Sequence, residues 1–333
     1  MRTSSSVAFV CLFIAGVAPS QNRSADIRVD VDLVPVACSV TDHNVAVKGL
    51  QKSDFVLRED GKPQQIKYVW QEAELPLTIG LIVDVSGSQS SLVHRHRHTV
   101  SQFLKQVLRP EDQAMIVSVG GQVRLNADLT NSIDALEGAI EEIGARKSQA
   151  PILGDPCQPA GIRGHRRASR ARLRYPCGGT VLWNAVYYAS KLKMKQVTGR
   201  KALLILSDGL DTGSDHHLND AIEAAQSAGV PVYTIKFVDP LLLPFTAVAA
   251  FKQSMQKLST ETGGIGFGLM HGKLDEVFRQ IEEELRNQYV LAYTPDNTLS
   301  NTARDGSYRK LEIAVDGRPT LRVRARTGYR TGN

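Results

Sequence analysis

The sequence predicts an α/β protein with a doubly wound, mostly parallel sheet and β segments at both ends of the chain. A short apolar run at residues 77–83 is typical of a parallel strand that is buried on both faces. Strand-like and helix-like segments alternate after this run, as they do in sheets with crossover helices. Near both chain ends the apolar period is two, which indicates strands with no helices between them.

The first residues are typical of a secretory signal peptide. An apolar stretch at residues 7–18 follows a basic residue and precedes small residues, which predicts cleavage after Ser20 and a signal at residues 1–20. The alternative is a lipid anchor on Cys11, which we disfavour because Val10 stands where a small residue is expected. No later segment is long and apolar enough to span a bilayer. The mature chain is therefore expected to be secreted or periplasmic, without a transmembrane anchor.

Residues 21–74 are predicted to form an N-terminal β segment. Apolar and polar side chains alternate at residues 27–33, and a second apolar run follows. Pro35 lies in that run and cannot donate a ladder hydrogen bond, so the strand is expected to be an edge strand or to be bulged there. Asp60 and Gly61 form a hairpin signal.

Residues 75–287 are predicted to form the doubly wound domain, and residues 288–333 a C-terminal β segment. Thr130 or Asn131 is expected to cap the second helix. The predicted strands are 77–83, 114–119, 201–207, 231–237 and 265–269, and the predicted helices are 90–108, 131–143, 180–193, 215–228, 251–262 and 274–285. The C-terminal strands are expected at 288–293, 308–315 and 321–325 and should join the N-terminal strands in a β layer.

Oxygen-bearing side chains follow the first buried strand directly. Asp84, Ser86 and Ser88 place a carboxylate and two hydroxyls at the carboxyl end of the strand, where open α/β sheets bind ligands. Oxygen ligands without His or Cys favour Mg²⁺, Mn²⁺ or Ca²⁺ over zinc. Thr180 and Asp208 lie in other strand-end loops and could supply two further ligands. Taken alone, the first three residues also fit an ordinary turn with Ser88 as a helix cap.

Together these residues resemble the metal-ion-dependent adhesion site (MIDAS) of von Willebrand factor A (VWFA) domains. That site combines Asp-x-Ser-x-Ser, a distant Thr, and an Asp in a Ser-Asp-Gly turn. Residues 41–62 also resemble the leader region of bacterial secreted proteins with a VWFA-related domain. The residues that the resemblance assigns to the metal are Asp84, Ser86, Ser88, Thr180 and Asp208. It further implies that Asp84 acts mostly through water and that a partner's carboxylate completes the coordination. Asp211 follows Asp208 closely and is a candidate for supporting hydrogen bonds, with ordinary turn chemistry as the alternative.

A strongly basic segment at residues 146–177 departs from a minimal domain of this kind. It carries eight Lys and Arg residues against the single acid Asp155, a charge of +7, whereas the whole chain is +6. The segment leads into Thr180, so it is expected at the rim of the site, where arginines can bind carboxylates. The arginines proposed to contact an acidic partner are Arg163, Arg166, Arg167, Arg170, Arg172 and Arg174. The alternative is a solvated insertion; specific nucleic-acid binding is not expected, because Tyr175 is the segment's one aromatic residue.

The remaining cysteines and histidines do not form a metal motif. Cys157 and Cys177 bracket a loop within the basic segment and are predicted to form a disulfide, while Cys38 is predicted to be a buried, unreactive thiol. His94 and His98 share a helix face at a spacing that can hold zinc, but no Glu lies beside His94. A solvated helix face is the favoured interpretation.

Catalytic motifs are not found in the sequence. It has no P-loop, no Gly-x-Ser-x-Gly elbow, and no second Asp two residues after Asp84 for phosphatase chemistry. We therefore predict that the protein is not an enzyme but a divalent-metal-dependent binding module. Its partner would be a protein or an anionic surface polymer that presents a carboxylate. The alternatives are a structural envelope protein with a purely structural metal site and a metal-dependent hydrolase.

Overall fold

The computed structural model describes residues 33–71, 75–86, 90–143, 151–154, 179–237, 245–269, 274–296 and 306–331. All of these residues belong to one compact unit, residues 32–333. Several predicted features lie outside the described residues: the signal peptide, the strand at 27–33, Ser88, the Cys157–Cys177 pair, the side chain of His94, and the six arginines from Arg163 to Arg174.

The described strands and helices are as follows. The strands are β1 (Val34–Asp42), β2 (Val45–Ala46), β3 (Phe55–Glu59), β4 (Lys62–Gln64), β5 (Ile66–Gln71), β6 (Leu77–Asp84), β7 (Gln113–Val119), β8 (Val123–Thr130), β9 (Arg200–Ser207), β10 (Val232–Phe237), β11 (Gly266–Leu269), β12 (Tyr289–Tyr293), β13 (Tyr308–Val315), β14 (Arg322–Ala325) and β15 (Gly328–Arg330). The α-helices are α1 (Ser90–Val107), α2 (Ile133–Glu142), α3 (Leu182–Tyr188), α4 (Leu218–Ala228), α5 (Phe245–Thr262) and α6 (Leu274–Arg286). Short 3₁₀-helices lie at Lys52–Asp54 and Met194–Gln196, and a π-helical turn at Ala189–Lys193.

The central sheet has six strands in the order β11-β10-β9-β6-β7-β8. All neighbours pair in parallel except β7 and β8, which are antiparallel. In chain order this is the doubly wound arrangement 3-2-1-4-5-6, in which the direction of winding reverses between the first and fourth strands. The reversal lies between β6 and β9. The mostly parallel sheet that the sequence predicts is confirmed.

The apolar run that predicts β6 is buried along its whole length. All eight residues of β6 are buried. Leu77, Ile79 and Leu81 face a core formed with α1, α2 and α6, whereas Ile82 contributes to a second core with α3, α4 and α5. Apolar side chains at odd and even positions therefore hold helices on both faces of the sheet. None of the described helices is both long and apolar enough to cross a membrane.

The structure corrects three predicted elements of the doubly wound part. β8 was not predicted, although Val123, Leu125 and Leu129 alternate with polar residues. It forms an antiparallel hairpin with β7, and this hairpin interrupts the alternation of strands and helices on which the prediction was based. The helix predicted at 180–193 is α3 followed by the π-helical turn. Ser132, and neither Thr130 nor Asn131, caps α2: its hydroxyl accepts a hydrogen bond from the Ala135 N–H.

Strands from both ends of the chain form two antiparallel sheets. One has the order β14-β1-β12-β5 with β2 beside β1, and the other has the order β15-β13-β3-β4. Their shared core contains Cys38, which is buried and free, and burial raises the pKa of its thiol to about 12. The expectation that Pro35 lies in an edge or bulged strand is wrong for β1, which has neighbours on both sides and an unbroken register with β12; at Pro35 itself, however, β12 is the one described strand that pairs with β1.

The two β sheets contact the amino edge of the central sheet. Arg324 in β14 forms an ion pair with Glu284 in α6, with 2.8 Å between Nη2 and Oε2. Arg326 Nη1 donates to the Gln226 carbonyl at the end of α4 (2.9 Å). These contacts lie near the starts of the parallel strands, at the edge opposite to their carboxyl ends. The β sheets and the central sheet belong to one compact unit, residues 32–333. The predicted domain boundaries at residues 74 and 287 therefore stay predictions.

Candidate metal centre

Four of the five predicted metal ligands, Asp84, Ser86, Thr180 and Asp208, lie at the carboxyl edge of the central sheet, and Ser88 lies outside the described residues. Asp84 is the last residue of β6, and Asp208 directly follows β9. These two strands pair in parallel on either side of the point where the winding reverses. Thr180 lies beside the end of β7, because the Val181 N–H donates to the Gly120 carbonyl (2.9 Å). The site thus occupies the crevice where doubly wound sheets bind ligands.

Hydrogen bonds hold both carboxylate oxygens of Asp84. The Ser86 N–H donates to Oδ1 (2.9 Å), and the Ser207 hydroxyl donates to Oδ2 (2.6 Å). The Ser86 side chain also hydrogen-bonds to this carboxylate. Among the described residues, no lysine, arginine or histidine contacts Asp84. Its partners are therefore neutral donors.

Burial dominates the electrostatics of Asp84. The side chain is 1% exposed. Burial raises the pKa of Asp84 from 3.8 to about 6; hydrogen bonds from Ser207 and Ser86 lower it, and the charge of Asp208 raises it further. The two carboxylates are thus close enough to repel each other. A cation between them would favour the charged form of both.

The segment from Ser207 to Gly213 carries Asp208 and contacts two other predicted ligands, Asp84 and Thr180. Besides reaching Asp84, the Ser207 hydroxyl accepts a hydrogen bond from the Gly209 N–H (2.9 Å). The Leu210 N–H donates to Asp208 Oδ1 (2.9 Å), which closes the turn that carries Asp208.

The same segment holds the backbone of Thr180 on both sides. The Thr180 N–H donates to the Thr212 hydroxyl (3.0 Å), and the N–H groups of Thr212 and Gly213 donate to the Thr180 carbonyl (3.0 and 3.2 Å). Gly179 precedes this contact with φ of +103°, and a Cβ there would lie 2.0 Å from Thr212 Oγ1. Glycine is therefore strongly favoured at this position.

Asp211 connects the Asp208 loop to the start of α3. Its Oδ1 accepts hydrogen bonds from the Ser214 hydroxyl (2.6 Å) and the Trp183 N–H (3.2 Å). Ser214 in turn accepts one from the Asn184 N–H (3.1 Å). Burial raises the pKa of Asp211, and these hydrogen bonds oppose that effect. The described contacts of Asp211 support the helix that follows Thr180.

The donor set of this edge fits a hard divalent cation. In the described ranges, no three His, Cys, Asp or Glu side chains are grouped so that they could hold a metal ion. The edge instead combines two carboxylates with hydroxyls, which are oxygen donors of the kind that Mg²⁺ and Ca²⁺ bind. The observation that fits a cation best is the buried carboxylate of Asp84, whose hydrogen-bond donors among the described residues are all neutral.

Sequence reasoning missed the roles of two hydroxyls in this arrangement. Ser207 could have been suspected, because it belongs to the Ser-Asp-Gly turn. Thr212 gives no comparable signal, since it lies in a loop of ordinary polar composition.

The described part of the basic segment, residues 151–154, and Gly179, two residues after the segment, lie at the same edge. The Leu125 N–H donates to the Pro151 carbonyl (2.8 Å) and the Leu153 N–H donates to the Val123 carbonyl (2.9 Å), so residues 151–153 extend along the outer side of β8. Val123 pairs with the last residue of β7, which places this contact at the carboxyl edge. The chain is described again from Gly179, which lies beside Thr212.

No protein-family model and no curated protein matches the chain. Solved structures that resemble it include a von Willebrand factor type A protein from Catenulispora acidiphila, with 10% identity over 91% of this chain and 74% of that chain and a TM-score of 0.45. Another is the vWF domain of a type V pili tip protein from Porphyromonas gingivalis, with 13% identity over 63% and 94% of the two chains and a TM-score of 0.43. The chain is similar to von Willebrand factor A domains.

A third similar structure is proximal thread matrix protein 1 from the mussel byssus, described with a zinc-occupied MIDAS motif. It shares 12% identity over 68% of this chain and 49% of that chain, with a TM-score of 0.44. These identities are too low to transfer a ligand or a partner to this chain.

Proposed function

We propose that this protein is a VWFA-type, divalent-metal-dependent binding module whose metal coordinates an acidic group of a partner. The ion would be Mg²⁺, with Mn²⁺ or Ca²⁺ as substitutes, since all three accept oxygen ligands. Asp84, Thr180 and Asp208 would hold it together with the hydroxyls of Ser86 and Ser88. When bound, the ion supplies a coordination position for a carboxylate oxygen.

One observation carries this proposal. Asp84 is buried at the point where the sheet reverses its winding, and its described partners are neutral hydroxyl and amide donors. A buried carboxylate without a positive partner is costly unless a cation completes its surroundings. Perturbed carboxylates in such a crevice are also typical of functional sites.

Water-mediated contact is the role that suits Asp84 best. Each of its oxygens already accepts a hydrogen bond from the protein, so less of the carboxylate is free for direct coordination. Mg²⁺ keeps several waters when it binds to proteins, which allows such an indirect ligand.

The partner would be a protein or an anionic surface polymer with exposed carboxylates. The basic segment supports this choice, because its described residues 151–154 and Gly179, two residues after it, lie at the edge that carries the site. Arg163, Arg166, Arg167, Arg170, Arg172 and Arg174 would add charge-assisted contacts around the metal. We further propose that the protein is exported and acts by binding, without catalysis.

Calorimetric titration of Mn²⁺ and Mg²⁺ into the chain without its predicted signal peptide tests the metal site. The wild type should bind either ion, and an Asp84→Ala/Asp208→Ala double variant should not. Asp42→Ala/Asp316→Ala is the charge-matched control, because both residues are exposed in the β sheets. This control should bind like the wild type. Equal binding by all three proteins would refute the site.

Retention on immobilised polyglutamate tests the acidic partner, with polyglutamine as the uncharged surface. We expect retention on polyglutamate in Mg²⁺ that is lost in EDTA and in a folded Ser86→Ala/Ser88→Ala variant. Metal binding without retention would favour the structural envelope protein. Turnover of a phosphoester or peptide library would favour the hydrolase.

A further inference from the structure

Two side chains outside the predicted ligand set connect the three parts of the site. Ser207 is fully buried, and its hydroxyl is donor to Asp84 Oδ2 (2.6 Å) and acceptor from the Gly209 N–H (2.9 Å). Gly209 belongs to the turn that carries Asp208. The Ser207 hydroxyl therefore fixes the position of the Asp84 carboxylate relative to that turn.

Thr212 makes the corresponding connection to Thr180. Its hydroxyl accepts from the Thr180 N–H (3.0 Å), and its own N–H donates to the Thr180 carbonyl (3.0 Å). The loop that carries Thr180 otherwise enters from the basic segment, so this pair of hydrogen bonds sets where Thr180 lies relative to Asp208.

We infer that Ser207 and Thr212 are positioning residues, which make the segment 207–213 the frame that holds Asp84, Thr180 and Asp208 in register for a cation. This inference rests on the proposed metal site. Neither hydroxyl needs to touch the ion. Each acts through a neighbour, and groups that orient metal ligands typically contribute about 10- to 100-fold to metal affinity.

The two residues allow complementary variants. Ser207→Ala removes a buried hydroxyl, and Ser259→Ala is its matched control. Ser259 is also fully buried, and its hydroxyl bonds to Thr234 (2.9 Å) and to the Met255 carbonyl (3.1 Å), away from the carboxyl edge. Thr212→Val removes an exposed hydroxyl at nearly constant volume, so it should fold even if Ser207→Ala does not. Thr212→Ser keeps the hydroxyl and serves as the rescue variant.

The experiment measures the Kd for Mn²⁺ by calorimetry and the unfolding temperature in EDTA for each protein. We expect Ser207→Ala and Thr212→Val to weaken Mn²⁺ binding about 10-fold or more. Ser259→Ala and Thr212→Ser should bind within about twofold of the wild type. In EDTA, the unfolding temperature of Ser207→Ala should fall no further than that of Ser259→Ala. A hydroxyl with a purely structural role would lower the unfolding temperature without changing the affinity for Mn²⁺, so weaker Mn²⁺ binding by Ser207→Ala at equal stability identifies a positioning role.

The outcomes separate this inference from the proposed function. If the wild type binds Mn²⁺ and both Ser207→Ala and Thr212→Val bind equally well, the positioning role is wrong and the metal site stands. If Ser207→Ala and Ser259→Ala weaken binding alike, the effect is general destabilisation and the role of Ser207 is also wrong. If the wild type binds no Mn²⁺, the proposed function fails, and the positioning role with it.

Discussion

The two edges of the central sheet treat buried carboxylates in opposite ways. At the amino edge, Glu284 pairs with Arg324 (2.8 Å), and Asp112 pairs with Arg286 (3.1 Å). At the carboxyl edge, Asp84 is equally buried, but its described partners are the Ser207 hydroxyl and groups of Ser86. Each amino-edge acid thus has a protein cation, and Asp84 has neutral donors.

The buried acids of the amino edge join parts of the chain through ion pairs, whereas the buried acid of the carboxyl edge is available to the proposed metal. Arg324 and Glu284 hold a β strand against α6, and Arg286 also donates to the Val107 carbonyl at the end of α1. A buried charge that is already paired has no reason to bind a further ion. Among the described residues no cation pairs with Asp84, and this difference supports the proposed metal site at the carboxyl edge.

The largest expected effect follows from removing a cation at the amino edge. Arg324→Met leaves Glu284 buried, and the Tyr233 hydroxyl, which donates to Oε1 (3.0 Å), is a neutral partner that cannot replace the lost cation. Breaking a buried pair in this way typically costs about 3–5 kcal/mol of the free energy of unfolding. Urea unfolding at pH 7 in EDTA measures this loss.

Arg330→Met provides the matched control for that variant. Arg330 contacts both oxygens of Glu223 (2.7 and 2.8 Å), but these side chains are 40% and 38% exposed, against 21% and 3% for Arg324 and Glu284. An exposed pair contributes about 0–1 kcal/mol. Equal losses in the two variants would contradict the view that burial makes the amino-edge pairs essential.

A second effect, of about the same size, should depend on pH at the carboxyl edge. The pKa of Asp84 is raised from 3.8 in the unfolded chain to about 6 in the folded protein. The stability that Asp84 contributes is therefore fully present below about pH 4 and is lost as the pH rises through about 6. A shift of about two pKa units corresponds to roughly 3 kcal/mol.

The Asp84→Asn variant isolates this contribution in metal-free protein. The asparagine side chain does not titrate, so the hydrogen bond that it loses lowers the free energy of unfolding by the same amount at every pH. The difference in free energy of unfolding between this variant and the wild type should therefore change by roughly 3 kcal/mol between pH 4 and pH 7 through the titration of Asp84 alone. Urea unfolding in EDTA across this range measures it. Parallel curves for the two proteins would mean that Asp84 titrates normally. Saturating Mg²⁺ should restore the wild type at pH 7, because it supplies the missing positive charge.

Much of the fold could be predicted from the sequence, because local patterns determine it. The apolar run of β6 reports burial on both faces, and Asp84 and Asp208 could be assigned to one edge because parallel strands end together. β8 escaped prediction although its residues alternate, since a hairpin inside a strand-helix alternation gives no separate signal.

The supporting contacts could not be predicted, because they join residues that are distant in sequence. Ser207 lies 123 positions from Asp84, and Thr212 lies 32 positions from Thr180. The Glu284–Arg324 pair likewise links a helix to a strand 40 positions later. Such contacts depend on how the elements pack in three dimensions, whereas the ligands themselves are marked by their strand ends.

The smallest expected effect on stability compares one glycine from each edge. Gly199 directly precedes β9 at the amino edge with φ of +83°, and a Cβ there would lie 3.6 Å from the Pro76 carbonyl, an ordinary contact. Gly199→Ala should therefore cost about 1 kcal/mol through backbone strain alone and leave Mn²⁺ binding unchanged. Gly179→Ala carries the same strain, but its Cβ would also displace the Thr212 hydroxyl. We expect a somewhat larger loss of stability and, in addition, weaker Mn²⁺ binding by calorimetry. If the two variants bound Mn²⁺ equally well, the contact between Gly179 and Thr212 would matter for folding alone, and the two edges would not differ in this respect.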